Sequence, residues 1–132
     1  MHPVLELKNL SVEFPSRRGA LQALSDVSFE IRPGEVLGVV GESGAGKSLT
    51  GAAIIGLLEP PGRISSGEVW VSGRRIDQFS DDQMRLVRGR EIGAIFQDPL
   101  TSLNPLYSVG RQLIETIAVS YTHLTLPTKR IV

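Results

Sequence analysis

The chain has 132 residues, which is one ordinary domain or part of one. Fourteen Lys and Arg balance fourteen Asp and Glu, and that neutrality argues against a nucleic-acid binder working through a strong overall basic field. A 41% hydrophobic and 21% charged composition argues against wholesale disorder, and the lack of cysteine excludes disulfides, thiolate metal sites and a cysteine nucleophile.

Residues 4–14 alternate apolar and polar side chains in two registers and read as a strand. A polar turn at 15–19 leads to a second strand over 20–32. Arg32-Pro33-Gly34-Glu35 is a turn, and Val36-Leu37-Gly38-Val39-Val40 is a short apolar run of the kind expected of a strand buried on both faces. A glycine-rich segment follows, then a helix over 49–58 that Pro60-Pro61-Gly62 terminates. Residues 67–72 read as a strand, and Arg74-Arg75 as a solvated turn pair. Ser80 and Gln83 have the spacing of a capping box at a helix start. Residues 92–96 are another apolar strand candidate, 98–105 a turn-rich loop, and 108–118 a helix. This order predicts an α/β fold: a mixed core with an antiparallel β subdomain. No apolar run approaches the ~18 residues of a membrane span, and the N-terminus has no secretory pattern, so a soluble intracellular protein is expected.

Residues 41–48 read Gly41-Glu42-Ser43-Gly44-Ala45-Gly46-Lys47-Ser48, which satisfies the phosphate-loop pattern G-x-x-x-x-G-K-[ST] between a strand candidate and a helix. The chemistry follows from the residue types. Glycines let the backbone wrap a polyphosphate, successive N–H groups form an anion nest, and the helix adds its positive end. Lys47 reaches the β- and γ-phosphates, and the Ser48 hydroxyl coordinates Mg²⁺. The rival reading, a glycine-rich turn with an exposed lysine, lacks a reason for this context. A dinucleotide turn fails because Ser43 stands where it requires glycine. After the loop, no run of four apolar residues is followed by Asp; Asp98 comes after Phe96-Gln97, which breaks that pattern. The P-loop thus binds nucleotide on paper without the usual hydrolytic acid.

Gly34 through Ser48, Gly56-Leu57-Leu58 with Pro60 through Ile64, Arg88 through Ile92, and above all Ile95 through Pro105 (IFQDPLTSLNP) are matching stretches. Together they resemble the N-terminal part of an ABC transporter ATP-binding subunit, in the oligopeptide, dipeptide and nickel import group. The resemblance covers roughly residues 3–117. It implies ATP and Mg²⁺ as cofactors, a P-loop NTPase core, and a catalytic Gln97 beside Mg²⁺ and the attacking water. It implies that Phe14 faces the adenine and that Gly41 through Leu49 (Gly41, Glu42, Ser43, Gly44, Ala45, Gly46, Lys47, Ser48, Leu49) form the nucleotide site, with Ser48 and Gln97 at the metal. A core or edge-strand role for Phe14 stays open. The implied partners are membrane-spanning permease subunits, met through the 98–105 loop, and a second ATP-binding subunit, with no nucleic acid. The implied location is cytoplasmic, peripheral on the inner face of the plasma membrane.

The family's signature and catalytic-acid motifs do not occur in this sequence, so the expectation is a fold truncated before them. Residues 1–118 are expected as the N-terminal part of the ATPase domain, and 119–132 (VSYTHLTLPTKRIV) as a foreign tail or else a divergent terminus. Trp70 reads as a packing residue, and His2 and His123 have no ligand spacing. Two other readings remain: an ATP-binding half-domain without catalysis, and another P-loop NTPase. The latter does not explain the string from Phe96 to Pro105. Cargo is not specified.

Overall fold

The computed structural model describes residues 2–42, 44, 46–96 and 103–120. The chain divides into two units, Met1–Arg88 and Gly89–Val132.

The first unit is built on β1 (Leu5–Ser16), β2 (Gly19–Ile31), β3 (Arg63–Val71) and β4 (Arg74–Arg75), in the order β2-β1-β3-β4. All neighbours are antiparallel, with Leu5 opposite Ile31 on one side and Val71 on the other. The two alternation registers of β1 have a physical cause. Pairing shifts on both sides of Asn9, which sits at φ 50°, and the inward set moves from Leu7 to Leu10 and Val12. Such a bulge turns side chains from one face to the other. Its backbone is held by a side chain: the Asn9 N–H donates to Ser28 Oγ at 2.8 Å. Leu7, Leu10, Val12, Leu24, Val69, Val71, Ile76, Met84 and Val87 form the buried core.

Helix α1 (Lys47–Ile54) leaves the phosphate loop, and α2 (Asp81–Val87) follows β4. The α2 start has the expected capping box: Ser80 Oγ accepts from the Gln83 N–H at 3.3 Å, and Gln83 Oε1 accepts from the Ser80 N–H at 2.9 Å. The α1 end differs from expectation. It stops at Gly56 (φ 72°), well before Pro60. The N–H of Gly56 bonds Ala53 O and that of Leu57 bonds Ala52 O, the paired pattern that closes a helix on a left-handed residue.

The Arg74-Arg75 pair is also more than a solvated turn. Arg75 Nε donates to Asp77 Oδ1 at 2.9 Å, and Arg75 Nη1 lies 3.2 Å from Glu68. The Asp77 side chain, only 4% exposed, also accepts from the Val69 N–H at 3.0 Å. Arg74 lies over the Phe79 ring. Trp70 packs as expected, under the Lys8 ammonium at 5.0 Å.

Two expected strands do not form. Residues 36–40 and 93–96 run as irregular chain and Ile92 makes only an isolated bridge, with Val36 95% exposed and Ile95 fully so. A strand buried on both faces needs hydrogen-bonded neighbours and covering layers. Among the described residues, no strand lies beside either segment.

In the second unit, α3 (Val109–Ser120) carries Gln112, whose side chain grips the preceding loop. Gln112 Oε1 accepts from the Asn104 N–H at 2.9 Å, and its amide donates to Asn104 O at 3.0 Å and Tyr107 O at 3.1 Å. Among the described residues, no helix is long and apolar enough to cross a membrane. The expected boundary at 118 and the expected tail cannot be traced past 120, because 121–132, with His123, lie outside the described residues.

Candidate functional site

The site is the junction between irregular chain at Gly41–Glu42 and the start of α1. Gly44 (φ 87°) and Gly46 (φ 98°) both take left-handed backbone, which a side chain disfavours. Gly46 also needs the space. A Cβ there would fall 2.5 Å from Leu24 Cδ2 on β2. The loop therefore packs against the sheet through a residue with no side chain.

Gly46 is the N-cap of α1 and has no side chain to cap with, and no acidic residue stands in the first turn. A helix start leaves N–H donors without intrahelical partners and concentrates positive dipole there. At α2, Ser80 and the acidic pair Asp81 and Asp82 answer both features. At α1 neither answer is present among the described residues, which leaves its first turn suited to an anion.

Lys47 folds back across the loop. Its ammonium donates to Gly41 O and, at 3.3 Å, to Glu42 O. The ammonium thereby lies against the backbone that enters the loop. Ser48 is exposed one residue on, and Leu49 is half-buried. Thr50, which no motif singles out, locks the turn: its hydroxyl donates to Gly46 O at 2.7 Å beside its own N–H at 2.9 Å.

Phe14 is half-buried near the end of β1, opposite Leu21. Its ring edge lies against Gly62, where a Cβ would come within 2.6 Å of Phe14 Cε1. The ring is thus seated on the loop that follows α1, in the same unit as the phosphate loop. Ser43, Ala45, Gln97 and residues 98–102 lie outside the described residues, while Leu103, Asn104 and Pro105 are exposed. A second unforeseen residue is Arg88. Its guanidinium donates to Ile55 O at 2.7 Å and Gly56 O at 2.8 Å, at the far end of α1. No local pattern announces a contact 33 residues away along the chain.

An antiparallel sheet, a glycine-bearing loop and a helix that starts with Lys47 and Ser48 are the parts of a P-loop cassette that the described residues show. The comparisons narrow the class. The ABC transporter family model matches residues 24–129, a span that passes the boundary expected at 118. The chain belongs to the ABC transporter family. It is 46% identical over 115 residues to the oligopeptide transport ATP-binding protein OppD of Bacillus subtilis (strain 168), covering 86% of this chain and 32% of that protein. It is 41% identical over 116 residues to the dipeptide transport ATP-binding protein DppD of Escherichia coli (strain K12), covering 88% and 36%. The dimeric structure of MJ0796, a bacterial ABC transporter cassette, superposes with a TM-score of 0.76 at 26% identity, over 89% of this chain and 48% of that one. The chain thus spans about a third of the length of these curated relatives.

Proposed function

We propose that the chain binds ATP through the loop 41–48 as part of the energy-coupling subunit of a peptide-type importer. The observation that carries this reading is the start of α1: left-handed glycines at 44 and 46, a first turn with neither a capping side chain at Gly46 nor an acidic residue, and the Lys47 ammonium bonded back to the carbonyls of Gly41 and Glu42. The backbone N–H groups cradle the phosphates and Lys47 neutralises them. The Ser48 hydroxyl would supply one oxygen to Mg²⁺. Bound Mg²⁺ would offset negative charge on the β- and γ-phosphates. The Phe14 ring, seated on Gly62, offers its remaining surface to the adenine. Gln97 would act beside the metal and the attacking water.

In the whole protein, ATP hydrolysis would drive transport. Two membrane-spanning permease subunits would be met through the 98–105 loop, and a second ATP-binding subunit would complete the ATP sandwich. The protein would work in the cytoplasm, peripheral on the inner face of the plasma membrane. The names of the relatives favour di- or oligopeptide cargo. Residues 1–118 would be the cassette portion and 119–132 the foreign or divergent stretch, which sequencing the genomic DNA past codon 118 decides.

A fluorescent Mg-ATP titration of the full chain tests the central claim. Saturable binding that is lost in Lys47→Ala supports it, and no saturable signal from the wild type sinks it. No steady turnover is expected from this chain, because no apolar run ending in an acid follows the phosphate loop. Hydrolysis that vanishes in Lys47→Ala would overturn that second part.

A further inference from the structure

Lys47 and Ser48 ride on the first turn of α1, a helix of only eight residues. So short a helix has little stability of its own. What fixes its far end therefore fixes the phosphate site at its near end. Two carbonyls of the last turns are answered locally by the N–H groups of Gly56 and Leu57. Ile55 O and Gly56 O are answered from a distance, by the Nε and Nη2 of Arg88.

This contact has three properties beyond ordinary packing. It is a two-pronged fork, the geometry that gives a guanidinium its orienting power. It brings positive charge to the negative end of a helix whose own last turn holds no basic residue. It also depends on glycine at position 56: a Cβ there would lie 3.0 Å from Arg88 Nη2, and the φ of 72° suits no other residue as well. The root of Arg88 is itself firm. Its N–H bonds Met84 O at 2.9 Å, and Met84 and Val87 of α2 are both buried. Met84 Cε also reaches 3.3 Å from that same Cβ position, so α2 meets the α1 terminus through two side chains.

We infer that Arg88 is a positioning residue for the phosphate site: it clamps the C-terminal end of α1 to α2 and so holds Lys47 and Ser48 in register with the loop. The inference rests on the nucleotide reading above. In Arg88→Ala, Mg-ATP affinity is expected to fall about tenfold, the lower end of what orienting residues contribute to a site they do not touch. Arg88→Lys, which keeps the charge but only a single-point donor, should recover part of it. Far-UV circular dichroism should match the wild type, and amide hydrogen exchange should quicken at Ala52–Leu57. A residue of purely structural importance would lower the Tm and leave affinity unmoved below it.

Wild-type affinity in Arg88→Ala, alongside binding lost in Lys47→Ala, overturns the inference. Should Arg88→Ala not fold, Arg88→Lys carries the test: weakened binding at full secondary structure upholds the clamp, and undiminished binding overturns it. Should the wild type itself bind no nucleotide, the functional reading falls, and exchange at Ala52–Leu57 decides the clamp alone. Faster exchange in the variant upholds it, and unchanged exchange overturns it.

Discussion

Asp77 carries a pH dependence that its neighbours set. Burial pushes its carboxyl upward, but the hydrogen bonds from Arg75 and the Val69 N–H outweigh that, and it settles below its ordinary value of 3.8. A carboxylate held below its unfolded value stabilises the fold above that value, and the contribution is lost as pH falls through the folded one. The acid side of the stability profile should therefore steepen below about pH 4. Asp77→Asn should lower the Tm at neutral pH and flatten the decline below about pH 4. Thermal unfolding of both proteins across that range is the measurement, and parallel declines would exclude the role. Half of this arrangement is visible in the sequence. Arg75 and Asp77 stand two apart and can be paired on paper. Glu68, and the burial that makes the pair matter, come from the antiparallel return of β4 along β3. Phe14 is similar: its place on β1 is legible, whereas its seat on Gly62 depends on chain 48 residues further along.

Elements held by local chemistry are the legible ones. The capping box of α2 uses residues three apart, so the spacing of Ser80 and Gln83 is enough to announce it. Ser80→Ala should cost about 1 kcal/mol, read as a lower denaturant midpoint at unchanged slope, with amide exchange quickening in α2. Exchange that stays at wild-type rates there would show the cap to be idle. The phosphate loop is legible for the same reason, since its glycines, Lys47 and Ser48 are neighbours in the chain. The end of α1 is not. Ile54 to Leu58 continues a helical pattern, and Pro60 is a conspicuous stop. What ends the helix sooner is a left-handed Gly56 with Arg88 reaching in from 32 residues away. The bulge at Asn9 lies between these cases. Its trace in the sequence is the double alternation of β1, but its cause, the Ser28 hydroxyl on the neighbouring strand, belongs to tertiary pairing.

At the scale of the whole chain, the antiparallel part is formed and the apolar runs are not. β1, β2 and β3 pair with one another, so each finds its partners inside this sequence. Val36–Val40 and Ile92–Phe96 are apolar enough for a sheet covered on both faces, yet Val36 and Val40 stand 95% and 94% exposed. Side chains of that kind in water each forfeit about 1.5–3 kcal/mol of burial. A net charge of zero adds no general repulsion to keep such surfaces apart. The chain should consequently bind an apolar dye such as anilinonaphthalene sulfonate under native conditions. Val36→Ser with Val40→Ser should reduce that fluorescence clearly while far-UV circular dichroism is unchanged, because neither residue supports the sheet. Light scattering should fall in the same variant at equal concentration. A dye signal that ignores both substitutions would mean that residues 36–40 are covered in solution.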